Sequence, residues 1–457
     1  MNINDFHSFF FVGVAGTGMS AIAQYLAGKG KKVAGSDRQF GQGTSQIQSQ
    51  LELAGITCFP QDGSGITAQT DAVVVSTAIE QTNAEYQKAL QLGIPVIKRS
   101  ELLALISNAV KTIAIGGTSG KSTTTAMIFH IMERCGCSPS LITGAGLTRL
   151  QADGHIGNAF VGQSDWLIIE ADESDGSIVG YLPEIAVLLN MERDHKEMDE
   201  LMQLFGTFKQ HTRQAFIVNA DNAQAAKLSA GPDLEFSTGN RESAVVGSDF
   251  SQQGFSISFA VNGIPCHIPL IGRHNMENAL AALSVCRKAG IDLSNGIRAL
   301  SDFDGIYRRT QLVGYRSDKD IYVIDDFAHN PSEVACAIRA CQAVAPRVIA
   351  YFQPHGYGPL RFMHADLAQE AADALRPDDI LVVSDVYYAG GTVSRDIQST
   401  VVSEAVVKYG KTAVYTGDRE ATLQWLTEHT PAHSVVLVMG ARDPRLPELA
   451  KQVLEGV

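Results

Sequence analysis

The sequence predicts an α/β protein of three domains, each built on a largely parallel sheet. Three observations lead to this prediction. Short apolar runs alternate with helical patterns along almost the whole chain, which is typical of strands joined by crossover helices. Glycine-rich turns follow two of these apolar runs, as in nucleotide-binding folds. The chain has 457 residues, a length at which about three domains are usual.

The first domain is predicted over residues 1–108 and is interpreted as Rossmann-like. Its alternation of strand and helix patterns is the signature of a parallel sheet with crossover helices. The expected elements are strands at Phe9–Val14, Lys32–Ser36, Ala72–Ser76 and Pro95–Ile97, and helices at Met19–Lys29 and Asn83–Leu92.

The second domain is predicted over residues 109–303 and the third over residues 304–457. The second is interpreted as a P-loop-type domain that also contains a hairpin around Asn262–Gly263. Its later expected elements are strands at Trp166–Glu170, Ile185–Asn190 and Phe216–Asn219 and a helix at Asn275–Lys288. The third, again Rossmann-like, has expected strands at Tyr322–Ile324, Val348–Phe352, Ile380–Val383, Ala413–Tyr415 and Val435–Val438.

Composition and charge exclude several classes of partner. The net charge is −13, from 36 basic and 49 acidic residues, and no basic block occurs, so nucleic acid is not an expected partner. No apolar run reaches the roughly 18 residues of a membrane span. The N-terminus lacks the pattern of a signal peptide, and the seven cysteines are scattered. We therefore expect a cytoplasmic protein with reduced thiols and no membrane partner.

The most informative segment is Lys111–Thr125, in which an apolar strand runs into a Gly-Lys-Ser turn and then a helix. Lys121 supplies a positive charge for the β- and γ-phosphates of a nucleotide, and the hydroxyl of Ser122 suits Mg²⁺. We interpret the segment as a short variant of the phosphate-binding loop. The glycines expected to let its N–H groups curl around phosphate oxygens are Gly116, Gly117 and Gly120.

Acidic and imidazole side chains follow two later strands of the same domain. Glu170 ends the strand Trp166–Glu170, and His195 follows the strand Ile185–Asn190. Because the carboxyl ends of parallel strands line the ligand crevice, we expect Glu170 and His195 to converge there. With Ser122 they form the predicted site for metal ions that bridge a triphosphate to a second substrate.

A second glycine turn, Gly13–Ser20, follows the first predicted strand. Asp37 ends the next strand, where the hydroxyls of a ribose would lie. The spacing of the glycines differs from the dinucleotide pattern G-x-G-x-x-G. From these residues alone, NAD, another nucleotide and a purely structural turn all stay open.

Two further motifs are candidates for nucleotide contacts. Asn275 and Asn278 lie at the start of a predicted helix, where they would either contact an adenine or cap the helix. Arg308–Arg309 and Asp325–Asp326 flank the start of the third domain. Their charges suit a hinge that reaches back to the ribose and phosphates of a nucleotide.

Taken together, these motifs resemble the Mur ligases of peptidoglycan synthesis over nearly the whole chain. The resembling runs are FVGVAGTGMS at 11–20, GSD at 35–37, STAI at 76–79, IPVIKRSE at 94–101, GGTSGKSTTT at 116–125, EADESD at 170–175, GRHNMENALAAL at 272–283, DDFAHNP at 325–331 and FQPH at 352–355.

The resemblance implies an ATP- and Mg²⁺-dependent ligase. It would join the carboxylate of a UDP-N-acetylmuramate-type nucleotide sugar to an amino acid, with L-alanine as the expected acceptor. In the family, the carboxylate attacks the γ-phosphate of ATP to give an acyl phosphate, and an amine then displaces the phosphate. The resemblance also implies a UDP-sugar-binding domain at 1–108, an ATP-binding domain at 109–303 and a mobile acceptor-binding domain at 304–457.

The resemblance also implies roles for matched positions. The expected catalytic residues are Lys121, Glu170 and His195, and the expected metal ligands are Ser122, Glu170 and His195. The expected ATP-binding residues are Gly117, Thr118, Ser119, Gly120, Lys121, Ser122, Thr123, Asn275, Asn278, Arg309 and Asp326. The expected substrate-binding residues are Gly16, Thr17, Gly18, Met19, Ser20, Asp37, Ser76, Arg99, His355 and Arg361.

The sequence departs from the family pattern after His355. The alanine-adding members have an arginine directly after this histidine and another three residues later, and these clamp the carboxylate of the amino acid. Here the two positions are Gly356 and Pro359, which cannot make such a pair. Arg361 and Arg395 are the candidate replacements. A peptide or a different amine as acceptor, as in a paralogous or recycling ligase, therefore stays open.

Two other classes of protein also stay open at this stage. An NAD-dependent oxidoreductase would use the first glycine turn, but it would leave the phosphate-binding loop unexplained. A catalytically silent nucleotide-binding paralogue is opposed by the presence of Lys121, Glu170 and His195. In every case we expect a monomer or a homodimer.

Overall fold

The computed structural model describes residues 2–41, 45–192, 196–388, 390 and 393–457. Within them, three sheets flanked by helices are largely parallel, which confirms the predicted α/β class. No helix in these ranges is long and apolar enough to cross a membrane. The chain divides into two compact units, the first comprising Met1–Ser248, Val261–Cys266 and Glu277–Ile306, and the second comprising Asp249–Ala260, His267–Met276 and Tyr307–Val457.

The first sheet has five strands, all parallel. Its elements are β1 (Ser8–Val12), α1 (Thr17–Gly28), β2 (Lys32–Asp37), α2 (Gln46–Leu53), β3 (Thr57–Pro60), β4 (Ala72–Val75), α3 (Ala84–Leu92), β5 (Val96–Lys98) and α4 (Arg99–Asn108). The strand order is β3-β2-β1-β4-β5. The chain reverses its direction of winding beside β1, so the turn after β1 lies at the topological switch point, where such sheets bind ligands.

Apolar side chains cover both faces of the first sheet. Phe9 and Phe11 point into one buried core, whereas Phe10 and Val12 point into a second core on the opposite face. Successive side chains of a strand alternate between faces, so a strand buried on both sides reads as an unbroken apolar run. This is why the run at the start of the sequence is recognisable as a central parallel strand.

The second sheet has ten strands in the order β15-β14-β13-β12-β11-β10-β6-β9-β7-β8. Its elements are β6 (Lys111–Gly116), α5 (Lys121–Arg134), β7 (Ser140–Ile142), α6 (Thr148–Ala152), β8 (Ala159–Phe160), β9 (Trp166–Glu170), β10 (Ile185–Leu188), α7 (Met198–His211), β11 (Ala215–Asn219), β12 (Glu235–Ser237), β13 (Val245–Gln253), β14 (Ser256–Val261), β15 (Ile264–Ile268), α8 (Arg273–Lys288) and α9 (Leu293–Ala299). Strand β6 lies between β9 and β10 and is parallel to both.

The third sheet has six strands in the order β16-β17-β21-β18-β19-β20. Its elements are β16 (Gln311–Arg316), β17 (Ile321–Asp326), α10 (Pro331–Cys341), β18 (Arg347–Phe352), α11 (Tyr357–Ala374), β19 (Ile380–Ser384), α12 (Thr400–Lys408), β20 (Thr412–Gly417), α13 (Arg419–His429), β21 (Ser434–Met439) and α14 (Leu446–Gly456). Only the edge strand β16 is antiparallel to its neighbour.

Local sequence signals explain where several elements begin and end. The side chain of Asn83 accepts the N–H groups of the first turn of α3, and Gly93 ends that helix with a φ of 66°. Asn330 caps α10 in the same way, with proline at the first helical position. Asn262 and Gly263, with φ of 49° and 81°, form the predicted hairpin turn. Short 3₁₀ turns occur at Ile3–Asp5, Ser177–Gly180, Ala225–Leu228, Pro232–Leu234 and Leu300–Asp302.

A buried ion pair fixes the start of the second unit's sheet. The Nε of Arg308 donates to both carboxylate oxygens of Asp325, at 3.1 and 2.9 Å. Its Nη2 and Nη1 donate to the carbonyl oxygens of Gly440 and Ala441, at 2.8 and 3.3 Å. Arg308 therefore ties the end of β17 to the end of β21. It does so from a left-handed conformation, with a φ of 56°.

We expect Asp325→Leu to lower the free energy of unfolding by about 3–5 kcal/mol, because it leaves the Arg308 charge buried without its partner. The measurement is urea denaturation followed by the fluorescence of Trp425, in a Trp166→Phe background that removes the other tryptophan. Asp318→Ala, which breaks an exposed ion pair with Arg316, is the matched control and should leave stability unchanged. Equal losses in the two variants would contradict the assigned importance of the buried pair.

Candidate active site

The phosphate-binding loop predicted from the sequence follows β6 and leads into α5. Gly117 and Gly120 have φ of 142° and 84°, so these two glycines make the turn. Gly116 does not share this role, because it still belongs to β6. A Cβ atom there would lie 3.2 Å from the ring of Phe208, so close packing under the sheet is what favours glycine at this position.

The side chain of Asn190 holds the loop in shape. Its Oδ1 accepts the hydroxyl of Thr118 and the backbone N–H of Ser119, both at 2.8 Å. Its Nδ2 donates to the carbonyl oxygen of Ser119 at 3.1 Å. Asn190 is the second residue after β10, so the strand beside β6 positions the loop.

Lys121 lies in the loop with its charge already partnered. Its Nζ is 2.9 Å from Oε2 of Glu173 and donates to the carbonyl oxygen of Gly117 at 2.6 Å. Burial opposes the charge of Lys121, but Glu173, Asp172 and Glu170 outweigh it and raise the pKa of Lys121. The side chain is therefore a fixed positive charge at neutral pH.

Ser122 and Glu170 meet beside Lys121. The hydroxyl of Ser122 donates to Oε2 of Glu170 at 3.1 Å, which brings two of the three predicted metal ligands together. The third, His195, lies outside the described residues. Within the described part of the chain, no group of three or more His, Cys, Asp or Glu side chains is arranged to hold a metal ion. Any Mg²⁺ ion here would therefore complete its shell with water or with oxygen atoms of a nucleotide.

Two further features of the loop bear on nucleotide binding. The Oγ atom of Ser119 is buried and has no hydrogen-bond partner among the residues that the structure describes, so a phosphate oxygen would satisfy it. A Cβ atom at Gly120 would lie 2.5 Å from Oδ1 of Asn278, which itself accepts the hydroxyl of Thr124 at 3.3 Å. Asn278 thus lies against the loop, as expected for a nucleotide contact. Thr123, in the first turn of α5, is buried.

The second glycine turn lies between β1 and α1. Oδ2 of Asp37 accepts the N–H of Ala15 and its Oδ1 accepts that of Gln39, both at 3.1 Å, so this carboxylate shapes the turn. Gly16 precedes the first residue of α1, Thr17, and makes no side-chain cap. The helix therefore presents N-terminal N–H groups that suit a diphosphate.

The other predicted substrate-binding residues near this turn lie in different surroundings. A Cβ atom at Gly18 would lie 3.2 Å from Cδ and Nη1 of Arg99, so Arg99 reaches the start of α1. The side chain of Met19 belongs to the hydrophobic core, so any ligand contact would come from its backbone. The hydroxyl of Ser20 donates to the carbonyl oxygen of Thr17 at 3.0 Å. Ser76 follows β4, at the same edge of the sheet.

In the second unit, charged groups collect at the carboxyl end of β17. Asp326 accepts the N–H groups of Thr310 and Ala328, at 2.6 and 2.7 Å. Burial raises the pKa of Asp326 to about 6, although Arg309 opposes the shift. The Nη1 of Arg309 is 3.6 Å from Oε1 of Glu333. Arg309, Glu333 and Asp326 thus form one polar cluster at this end of β17.

His355 joins this cluster through His329. Their rings pack edge to face, with centroids 5.0 Å apart. The Nδ1 of His329 is 3.1 Å from Oε2 of Glu333. Burial opposes a charge on His329, but Glu333 outweighs it and raises the pKa of His329.

Two candidates of the second unit have structural partners. Asn275 lies within the first turn of α8 and is not its cap, and its Nδ2 donates to the carbonyl oxygen of Ile271 at 2.8 Å. Arg361 lies on the exposed side of α11, where it pairs with Asp396 and donates to the carbonyl oxygen of Ser394. To bind a carboxylate of a substrate, Arg361 would have to exchange Asp396 for it.

Models of known protein families match this chain in three consecutive stretches. They are the Mur ligase family catalytic domain at residues 8–111, the Mur ligase middle domain at residues 115–286 and the glutamate ligase domain of Mur ligases at residues 308–442. The UDP-N-acetylmuramate–L-alanine ligase of Syntrophomonas wolfei is 32% identical over 465 residues, covering 97% of this chain and 96% of the relative. That of Acaryochloris marina is 33% identical, covering 95% and 92%.

The chain is a Mur ligase. It is accordingly an ATP-dependent ligase of peptidoglycan synthesis, which confirms the family and the enzyme class predicted from the sequence. The oxidoreductase alternative is thereby wrong.

Solved structures of the family have the same fold as this Mur ligase. UDP-N-acetylmuramate–alanine ligase from Thermotoga maritima superposes with a TM-score of 0.78 at 24% identity, covering 98% of each chain. A murein peptide ligase from Psychrobacter arcticus gives a TM-score of 0.66 at 22% identity, again covering 98% of each chain. At these identities the likeness concerns the fold alone.

The sequence did not single out the residues that support this site. Asn190 stood at the end of a predicted strand beside the loop, and that position was the available signal for it. Thr143 and Asn158, which also contact site residues, lie in loops without a recognisable pattern. The residues that they contact are 27 and 138 positions away in the chain. Only the folded structure brings these residues together.

We expect Asn190→Ala to weaken binding of the Mg²⁺ complex of a non-hydrolysable ATP analogue about 10- to 100-fold. The reason is that three hydrogen bonds to the loop are lost, each contributing roughly 1 kcal/mol. Isothermal titration calorimetry measures the affinity. Asn108→Ala removes an asparagine that hydrogen-bonds residues 180 and 182 of the same unit and should leave the affinity unchanged. Unchanged affinity in Asn190→Ala would contradict the assigned role.

The raised pKa of Asp326 predicts a pH-dependent stability. Its folded pKa of about 6 exceeds the usual 3.8, so the native state binds more protons between these values and the free energy of unfolding falls as pH rises through them. Relative to Asp326→Asn, the wild-type protein should lose about 2–3 kcal/mol between pH 4 and pH 7. Urea denaturation followed by Trp425 fluorescence measures this. Identical pH profiles in the two proteins would contradict the shift.

Proposed function

We propose that this Mur ligase joins the carboxylate of UDP-N-acetylmuramate to the amino group of L-alanine, using ATP and Mg²⁺. The single observation that carries the proposal is the loop in which Lys121 pairs with Glu173 and Ser122 hydrogen-bonds Glu170. The relatives at 32–33% identity are ligases of UDP-N-acetylmuramate and L-alanine over nearly their whole length. That likeness supports the choice of both substrates.

The loop suits transfer of the γ-phosphoryl group of ATP to a carboxylate. A carboxylate oxygen attacks the γ-phosphorus, the bond to the β–γ bridging oxygen breaks, and ADP leaves an acyl phosphate behind. The amine then attacks the acyl carbon, loses a proton, and inorganic phosphate departs. Such a transfer needs positioning and charge neutralisation more than an acid–base residue, which fits the fixed charge of Lys121.

The oxygen atoms of Ser122 and Glu170 are the kind of ligand that Mg²⁺ prefers. When bound, Mg²⁺ would neutralise charge on the phosphate oxygens. His195 stays a proposed ligand from the resemblance. The resemblance assigns Ser122 to one ion and Glu170 with His195 to a second, and the hydroxyl of Ser122 lies 3.1 Å from Oε2 of Glu170.

The turn after β1 is the proposed site of the nucleotide sugar. It lies at the switch point of the first sheet, and the start of α1 presents N–H groups for a diphosphate. Arg99, which reaches Gly18, would add a positive charge. Asp37 hydrogen-bonds the turn itself, so we assign it a supporting role there besides any contact with ribose.

A peptide acceptor is the second candidate, favoured by the chain after β18. Gly356 has a φ of 151°, a conformation that side-chain-bearing residues rarely adopt, and Pro359 lies in the first turn of α11. Neither has a side chain that can make a bidentate pair with the carboxylate of a free amino acid. Arg361, paired with Asp396, and Arg395, stacked 4.2 Å from the ring of Tyr388, are the nearby cations.

The test is phosphate release by the purified protein with ATP, Mg²⁺ and UDP-N-acetylmuramate, against a panel of amino acids and short peptides. Mass spectrometry identifies the product. Stimulation by L-alanine, with formation of the L-alanyl conjugate, supports the proposal. Stimulation only by a peptide or another amine would keep the ligase chemistry and replace the acceptor.

If L-alanine is the acceptor, we expect Arg361→Ala to raise the KM for L-alanine at least about 10-fold. The reason is that a charge-assisted hydrogen bond to the carboxylate contributes roughly 1.5–3 kcal/mol. The KM values for ATP and the nucleotide sugar should not change. Arg395→Ala serves as the control, since it removes another exposed arginine of the same region. A larger effect of Arg395→Ala would assign the carboxylate to that residue.

A further inference from the structure

A buried asparagine links helix α1 to the second sheet within the first unit. The Nδ2 of Asn158 donates to the carbonyl oxygen of Thr17 at 2.8 Å and to the hydroxyl of Ser20 at 2.9 Å. Its Oδ1 accepts the Nε2 of Gln24 at 2.9 Å. These side-chain hydrogen bonds all go to the first two turns of α1, the helix whose start is the proposed diphosphate site.

The backbone of Asn158 continues the connection toward Glu170. Its carbonyl oxygen accepts the N–H of Thr143 at 3.0 Å, across the ends of β7 and β8. The hydroxyl of Thr143 then donates a hydrogen bond to Oε1 of Glu170. The N–H of Gly144 donates to the same oxygen at 2.8 Å. Helix α1 and Glu170 are therefore joined by consecutive hydrogen bonds through two residues.

The two carboxylate oxygens of Glu170 have different hydrogen-bond partners. Oε1 is held by Thr143 and Gly144, whereas Oε2 faces the hydroxyl of Ser122 at 3.1 Å. With Oε1 held by two donors and the carboxylate bonded to its own side chain, rotation of the group is restricted, and with it the direction of Oε2. Thr143, which is almost fully buried, thus determines which way Glu170 faces the phosphate-binding loop.

We propose that Thr143 is a positioning residue for Glu170, and that the path from α1 through Asn158 and Thr143 couples the two nucleotide sites. This inference rests on the proposed function, in which the start of α1 binds the nucleotide sugar and the loop binds ATP with Mg²⁺. Binding of the diphosphate fixes α1 and Asn158, which fixes Thr143 and the orientation of Glu170. Each ligand therefore increases the affinity for the other by the same factor.

The experiment measures this factor directly, without turnover. Isothermal titration calorimetry gives the dissociation constant of the Mg²⁺ complex of a non-hydrolysable ATP analogue, with and without saturating UDP-N-acetylmuramate. In the wild-type protein we expect the nucleotide sugar to tighten binding about 5-fold or more, the lower range of measured couplings. In Thr143→Val, which keeps the shape and removes the hydroxyl, the factor should fall to about 1 while the affinity for the nucleotide sugar alone stays unchanged.

Two control variants separate positioning from a merely structural role. Thr143→Ser keeps the hydroxyl and should restore the coupling. Thr112→Val removes another buried threonine hydroxyl of the same sheet, which donates to the carbonyl oxygen of Ser107 at 2.6 Å. It should lower stability in a thermal unfolding assay and leave the coupling unchanged. Loss of coupling in Thr112→Val as well would overturn the assignment to Thr143.

The wild-type measurements distinguish failure of this inference from failure of the proposed function. If the wild-type protein binds neither ligand, the proposed function is wrong and the inference falls with it. If it binds both ligands with no mutual effect, the coupling is overturned and the proposed function stands. If Thr143→Val shows the same coupling factor as the wild-type protein, the role of Thr143 is likewise overturned.

Discussion

The position of β6 between β9 and β10 is the constraint on which the rest of the active site depends. All three strands are parallel, so their carboxyl ends meet at one edge of the sheet. The phosphate-binding loop follows β6, Glu170 ends β9, and Asn190 follows β10. The loop is therefore shaped by one neighbouring strand and provided with a carboxylate by the other. A rearrangement of these three strands would separate all of these groups.

In each unit, a buried basic side chain is paired with a carboxylate of the same unit. Lys121 is paired with Glu173 in the first unit, and Arg308 with Asp325 in the second. A buried ion pair adds little net stability, but removal of one partner leaves a charge in a medium that solvates it poorly. A triphosphate in the loop would therefore compete with Glu173 for Lys121. Binding would replace the carboxylate of Glu173 with a phosphate as the partner of Lys121. The free energy needed to remove the lysine from water is already included in the free energy of folding.

The sequence predicted the frame of the fold, for physical reasons, and it indicated the phosphate-binding loop as the main candidate site. Parallel strands buried on both faces are visible as apolar runs, and the phosphate-binding loop is a local pattern of glycine, lysine and serine. Helix ends were less accurate: α8 begins at Arg273, two residues before the predicted start. The short strands β3, β7 and β8 were missed; β3 and β8 are edge strands, and β7 and β8 have only three and two residues, too few for an apolar pattern.

The supporting residues of the site could not be predicted in the same way. Asn158 contacts Ser20 across 138 positions of the chain, and Thr118 contacts Asn190 across 72. No local periodicity reports such a pairing. Met19 shows that a motif can also mislead about side chains. It lies inside a predicted nucleotide-binding motif, but its side chain belongs to the hydrophobic core. Motifs identify the backbone that approaches a ligand more reliably than the side chains that support it.

The chain after β18 shows how a backbone conformation restricts which side chains can occupy a predicted substrate-binding turn. Gly356 has a φ of 151° immediately after His355, so an arginine at this position would carry a conformational cost. Pro359 has no N–H and a rigid ring at the next relevant position of α11. Two arginine side chains introduced at these positions would therefore not form a carboxylate clamp by themselves, because the turn would have to change as well.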